Sequence, residues 1–152
     1  MGDGEVTLHP GDGNGGFGSE RRLLAPNDTW KPIATITAGD FAGSNQFDLL
    51  VRWDDGRMTL HADVGSNGLG IGTEMAGSGS IWSHATQIAA GRFNATTYVT
   101  DLMVRWPDGE LSLFTNVGAG GPDKTWTDGE TTMYQDTRTN NLGRERTLVP
   151  AA

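Results

Sequence analysis

The chain has 152 residues, a length that suits one domain, and a formal net charge of −8. A field of that sign repels phosphate backbones and anionic lipid, which excludes nucleic acid and membrane surfaces as expected partners. The absence of cysteine excludes disulfides, thiolate chemistry and cysteine-type zinc sites, and 23 Gly with 6 Pro among few long apolar runs suit short strands and turns rather than helices.

Asp3-Gly4-Glu5-Val6-Thr7-Leu8-His9 opens the chain with an Asp-Gly turn signal and a period-two alternation, the pattern of a half-buried strand. We label this strand type c. Asn14-Gly15-Gly16-Phe17-Gly18 follows; Gly and Asn accept positive φ, so this is a tight turn, with Phe17 expected to plug it onto the core. Residues 19–25 read as strand d. Pro26-Asn27-Asp28-Thr29-Trp30 leads into strand a at residues 35–41. Strand b is Asp48-Leu49-Leu50-Val51-Arg52-Trp53.

The pattern then returns. Asp55-Gly56-Arg57-Met58-Thr59-Leu60-His61 repeats strand c after 52 residues, Ser66-Asn67-Gly68-Leu69-Gly70 repeats the turn, and residues 73–78 repeat strand d. Residues 87–93 repeat strand a, residues 101–106 repeat strand b, and Asp108-Gly109-Glu110-Leu111-Ser112-Leu113-Phe114 repeats strand c after 53 residues. This third copy is expected to lose its d strand after Val117. Thr125-Trp126 repeats Thr29-Trp30, but a worn c strand, Asp128-Gly129-Glu130-Thr131-Thr132-Met133-Tyr134, arrives after only 20 residues. The segment 118–127 is expected to join the two c-type strands as a hairpin. Thr139-Asn140-Asn141-Leu142-Gly143 and residues 144–149 supply a last turn and d strand.

A period near fifty means a small unit copied and stacked, each copy burying its apolar face against a neighbour. We read one repeat domain, 1–152, with repeats at about 3–54, 55–107 and 108–152, the last shortened. On strand c, Val6 and Leu8, Met58 and Leu60, and Leu111 and Leu113 are expected to face a core. The opposite face carries a hydroxyl and then His or an aromatic: Thr7 and His9, Thr59 and His61, Ser112 and Phe114, Thr132 and Tyr134. On strand b, Leu49, Val51 and Trp53 alternate with Leu50 and Arg52, so both faces are expected to be at least half covered, as in stacked sheets.

Ala38-Gly39-Asp40-Phe41-Ala42-Gly43, then Asp48-Leu49-Leu50-Val51-Arg52-Trp53 and Asp55-Gly56, resembles the FG-GAP/VCBS-type repeat, and the likeness covers nearly the whole chain. The resemblance implies an all-β fold of β-propeller-type four-stranded blades, two of them complete. A propeller takes about four or more blades, so completion by homo-oligomerisation, or membership of a longer array, is expected. Half-blades at the ends leave open sheet edges that seek strands of another chain. A β-trefoil, also built of three such units, is the alternative fold; its Gln-x-Trp signature is absent. The family's metal loop reads Asp-x-Asp-x-Asp with a further Asp ahead of strand b. Here Asp40 and Asp48 are kept, Ala42 and Ser44 replace the middle acids, and in the next copy Arg92 replaces the first acid while Asp101 remains. Calcium takes about six to eight oxygens, so the resemblance implies a weak calcium site at Asp40 and Asp48 at best, and no other cofactor. The plain alternative is that both are turn caps. The Leu-Val-Arg-Trp and Thr-Trp flavour is similar to that of actinobacterial extracellular proteins, which implies secretion, with the leader already removed ahead of Met1.

Five Trp fall into two sets. Trp53 and Trp106 end strand b; Trp30, Trp82 and Trp126 precede strand a among turn residues and are expected to be partly exposed. Indole faces stack on the apolar faces of pyranose rings, so these five mark candidate sugar sites, one per gap between units; the structural alternative is that they anchor packing. Arg52 and Arg105 sit inside apolar strands, as ligand contacts or as partners of Asp54, Asp55 or Asp108. His9 and His61 share their position with Phe114 and Tyr134, which marks it for packing. No nucleophile elbow, zinc helix or phosphate loop is present, so no enzyme is expected. The sequence reading is a secreted, lectin-like module that binds a glycan or glycoconjugate through several weak sites. A protein-interaction or structural propeller, or an accessory domain of a secreted glycan-active enzyme, is the alternative.

Overall fold

In the computed structural model, which describes residues 2–65, 68–94, 100–118 and 129–134, the Asp-Gly pairs at 55–56 and 108–109 reverse the chain. At the first, Trp53 N–H donates to the Arg57 carbonyl (2.9 Å) and Gly56 N–H to the Trp53 carbonyl (3.0 Å). At the second, Trp106 N–H donates to the Glu110 carbonyl (2.9 Å) and Gly109 N–H to the Trp106 carbonyl (3.1 Å). Gly56 and Gly109 have φ of 87° and 92°, a region where a side chain is strained. The Asp55 and Asp108 carboxylates accept from Arg57 and Glu110 N–H. Both residues of the pair are therefore explained by the turn itself.

The described residues form ten strands: β1 (Val6–Leu8), β2 (Arg21–Leu24), β3 (Ile33–Gly39), β4 (Asp48–Trp53), β5 (Met58–His61), β6 (Thr73–Ala76), β7 (Gln87–Gly91), β8 (Asp101–Arg105), β9 (Leu111–Thr115) and β10 (Gly129–Tyr134). Short 3-10 turns lie at Asp28–Trp30 and Ile81–His84. The fold is all-β. The strands make a two-stranded sheet, β1-β2, and two four-stranded sheets, β3-β4-β5-β6 and β7-β8-β9-β10, every pairing antiparallel. Both four-stranded sheets are meanders, the first of strands a to d and the second of a, b, c and the worn c strand, so each spans the sequence-repeat boundaries and draws strands from two sequence copies.

The worn Asp-Gly copy becomes β10. It pairs with β9, as a hairpin joining two c-type strands requires, and it fills the fourth place that the lost d strand would have taken. A c-type sequence can do this because an edge strand needs only one paired side. The segment 119–128, and the turn and strand expected at 139–149, lie outside the described residues.

The two large sheets meet through opposite faces. The core joins Leu50, Met58 and Leu60 of the first sheet to Ala90, Leu102, Val104 and Phe114 of the second. In the repeat, Leu102 and Val104 correspond to Leu49 and Val51, on the other face from Leu50. The expectation that Ser112 and Phe114 point away from the core is corrected here. Both are buried, and Phe114 belongs to the core cluster, while Leu113 on the opposite face is buried too. A sheet stacked between neighbours buries both faces, and each successive sheet turns the alternate set toward the one before it. β3 and β7 run close together, joined by Ala90 N–H donating to the Thr37 hydroxyl (3.1 Å).

The β1-β2 pair lies over the remaining face of the first large sheet, and among the described residues it has two strands where the other sheets have four. An apolar cavity of about 320 Å³ lies there, lined by Val6, Leu8, Leu23, Ile36, Phe47 and Leu49. The turn residues bring a second correction. Leu69 is buried and plugs its turn as expected, but Phe17 is 77% exposed, resting edge-on against His9 with centroids 6.4 Å apart. Leu142 lies outside the described residues.

Candidate functional site

Asp48 and Asp101 open strand b in the two copies, and both are buried. Asp48 Oδ2 accepts from Phe41 N–H and Ala42 N–H (both 2.7 Å), and Oδ1 from Asp63 N–H (2.8 Å). Asp101 Oδ2 accepts from Phe93 N–H and Asn94 N–H (2.8 and 2.9 Å), and Oδ1 from Asn116 N–H (2.9 Å) and the Asn94 side-chain amide (3.0 Å). Each carboxylate thus pins the loop before strand b to the loop after strand c. Asp40 accepts from Ser44 N–H and Asn45 N–H within its own loop. The oxygens of Asp40 and Asp48 are directed at backbone donors, and among the described residues no three His, Cys, Asp or Glu side chains gather as a metal site would need.

The tryptophans form a repeated cluster. The two 3-10 turns are capped by Asn27, which accepts from Thr29 N–H, and Ser80, which accepts from Trp82 N–H. The capped turns place Trp30 and Trp82 in matching positions. Trp30 lies 5.6 Å from Trp53 and 5.1 Å from His61 between ring centroids; Trp82 lies 5.8 Å from Trp106 and 5.1 Å from Phe114. The indole N–H of Trp53 donates to Thr59 Oγ1 (3.1 Å) and that of Trp106 to Ser112 Oγ (3.0 Å). This accounts for the hydroxyl-then-aromatic face of strand c: the hydroxyl satisfies one indole and the next ring packs on another. The expectation of exposure is corrected for Trp82, which is only 4% exposed, as is Trp53. Trp30 and Trp106 are half-buried. Trp126 lies outside the described residues.

Arg52 is buried without the ion pair expected of it. Its guanidinium donates to the Trp82 carbonyl (3.2 Å) and the Thr35 hydroxyl (3.4 Å), which ties β4 to the turn leading into the second large sheet. Burial pushes its pKa down, and the Asp54 charge opposes that from beyond ion-pairing distance. The carbonyl satisfies one guanidinium donor without bringing a second charge into the core, a weaker bond than a carboxylate would make but one with no second ion to desolvate. Arg105 occupies the matching register on β8 and is half-buried. His61 is buried against Trp30; burial lowers its pKa, and the backbone of Leu69 and Gly70 partly offsets this. A Cβ at Gly72 would stand 2.7 Å from the His61 ring, so glycine is required there.

A cleft beside the second 3-10 turn combines an accessible indole with polar groups. It holds about 340 Å³ between Ile81 and His84 of the second 3-10 turn and Trp106, Asp108, Glu110 and Glu130. Ser112 and Thr132 hydroxyls donate to Glu110 Oε1 (3.2 and 3.4 Å) and orient it. Acceptors around an indole suit a polyol with one apolar face. Asp108 was named from the sequence only as an arginine partner, and Glu110 and Glu130 were not singled out; the signal that marks Glu110 is its departure from Arg57 at the same place in the repeat. In the first copy the Arg57 guanidinium carbon lies 4.4 Å from the Trp53 ring centroid.

No protein-family model matches the chain, and no curated protein or solved structure matches it significantly.

Proposed function

We propose that this chain is a non-enzymatic carbohydrate-binding module with propeller-type blades of the FG-GAP/VCBS kind, secreted and acting on a glycan or glycoconjugate. The observation that carries the reading is the Trp106 cleft, where a half-buried indole stands among Asp108, Glu110 and Glu130. Its volume is near the lower end of the ~300–1,000 Å³ of small-molecule sites, which suits one or two sugar units. Trp53 and Trp82 are assigned to packing, and Asp40 and Asp48 to loop pinning in preference to calcium. A glycan panel read by tryptophan fluorescence tests the proposal. Binding of one sugar class by the parent chain, weakened at least about tenfold in Trp106→Ala, supports it; no response to any glycan overturns it.

The blade reading is supported by the head-to-tail use of opposite sheet faces, the geometry that closes rings or extends filaments. Among the described residues the β1-β2 sheet has two strands beside an apolar cavity, which fits completion by further strands. Light scattering tests this part: a dimer or larger closed species supports it, and a folded monomer favours a trefoil-like or open stack. The burial of Trp53 and Trp82 favours the second reading, a protein-interaction or structural propeller, should the glycan panel fail.

A further inference from the structure

We propose that Asn14 is a site of spontaneous deamidation, at which the backbone of the turn converts the Asn14 side-chain amide to a carboxylate. The inference is independent of the carbohydrate-binding reading. The reaction needs an asparagine followed by a residue with no side chain in the way. It also needs a backbone N–H after that asparagine that is free to lose its proton, and room for a cyclic imide to close. The chain has two Asn-Gly pairs, Asn14-Gly15 and Asn67-Gly68. Sequence alone makes them equal candidates, since glycine removes the side-chain obstacle in both. The hydrogen bonds of the two turns separate them.

At the first pair, Asn14 and Gly15 are exposed, and a Cβ placed on Gly15 would meet no atom within 4 Å. The Asp12 carboxylate accepts from Asn14 N–H (2.8 Å) and Gly16 N–H (2.9 Å), so the backbone is held on either side. Gly15 N–H lies between them and has no partner among the described residues. Asn14 Nδ2 is 3.5 Å from the Asp12 carbonyl oxygen, too long a contact to hold the amide in place. At the second pair, Gly68 N–H donates to the Gly65 carbonyl (3.1 Å), and a Cβ placed on Gly68 would stand 3.4 Å from the Leu23 carbonyl oxygen. That nitrogen must give up a hydrogen bond before it attacks. At Asn14 the Gly15 nitrogen attacks Cγ and forms a nitrogen–carbon bond. The bond from Cγ to Nδ2 breaks, and ammonia leaves with the proton that Gly15 gave up. Water then opens the imide at either carbonyl, giving aspartate on one side and isoaspartate on the other. The isoaspartate backbone runs through Cβ and Cγ and is longer by one atom, which widens the span between the two N–H groups that Asp12 holds. Either product adds a negative charge beside Asp12.

The test incubates the full chain at mildly alkaline pH, folded in buffer and unfolded in urea, and follows both pairs by peptide mapping with mass spectrometry. In the folded chain Asn14 should deamidate about fivefold faster than Asn67, the factor set by breaking one backbone hydrogen bond. In urea the two rates should converge, because the turns that separate them are gone. The rate at Asn14 should rise with pH, since the attacking nitrogen must lose its proton. Asn14→Gln should suppress the reaction at this turn, because a larger ring closes more slowly, while melting close to the parent. Folded rates that are equal, or faster at Asn67, overturn the proposal. So does a folded chain whose Asn14 stays intact over a time in which the unfolded chain reacts at both pairs. A preference for Asn14 that persists unchanged in urea overturns it as well, by making the neighbouring residues in sequence the cause in place of the turn.

Discussion

Replacing Asp48 with Ala should be among the most damaging single changes in the first large sheet. The carboxylate is fully buried and accepts three backbone N–H donors at 2.7–2.8 Å, two through one oxygen and one through the other. Hydrogen bonds to a charged acceptor contribute about 1.5–3 kcal/mol each, but they are not additive within one network. Ala42 and Asp63 are exposed, so their N–H groups can turn to water, whereas Phe41 N–H belongs to a buried residue. Counting one full loss and two discounted ones, Asp48→Ala should cost about 3–4 kcal/mol. Asp48→Asn keeps one acceptor oxygen but sets its amide hydrogens against the third donor, for about 1.5–2.5 kcal/mol. Asp40→Asn, in a half-buried loop position with two donors, should cost less than about 1 kcal/mol. Urea unfolding followed by tryptophan emission measures all three, with the m-value as the check that the unfolded reference is unchanged. A loss below about 1 kcal/mol for Asp48→Ala would refute the pinning argument. A calcium-dependent rise in the parent's midpoint that Asp48→Asn abolishes would refute it differently, by making the carboxylate a metal ligand.

His61 gives a pH-dependent prediction with a definite sign. Its pKa in the fold lies below the ordinary value of about 6.5, so the folded state prefers the neutral ring. The stability this confers is complete above about pH 6.5 and declines as pH falls through the window below it. His61→Phe, which copies Phe114 of the other sheet, should remove that component; melting curves at pH 7.5 and 5.5 should converge relative to the parent, and an unchanged difference would count against the assignment. Gly56→Ala should cost about 2–4 kcal/mol, because φ is 87° and the new Cβ would stand 2.8 Å from the Ser80 carbonyl oxygen. Thermal unfolding measures it, and a change under about 1 kcal/mol would show that the turn relaxes.

The strands and turns were legible because their causes are local. A period-two alternation after Asp-Gly specifies a strand and the turn that opens it within a few residues of chain, and β4 matches its expected span of 48–53. The equivalence of His61 and Phe114 already marked a packing position, and the structure shows both rings resting on a turn tryptophan. The Asp48–Asp101 equivalence was legible too, but its purpose was not, since the N–H groups it satisfies come from two separate loops. The candidate cleft was half legible: Trp106 stood out by its type, and Glu110 went unnoticed because one carboxylate in a turn looks like any other solvated charge.

The sequence by itself determined an all-β chain of copied units, the positive-φ turns, and which side chains share a strand face. Tertiary structure alone decided which face meets which. Strand b is apolar on both faces, so alternation could not say that Leu50 would serve the first sheet's contact and Leu102 the second's. It also decided that Trp82 would be buried and Phe17 left outside, because a turn's exposure depends on what packs against it from elsewhere in the chain. It gave the worn Asp-Gly copy the fourth place in its sheet, since an edge strand is chosen by the vacancy beside its partner rather than by its own pattern. Local periodicity carries no information about neighbours distant in sequence, and burial is set by those neighbours.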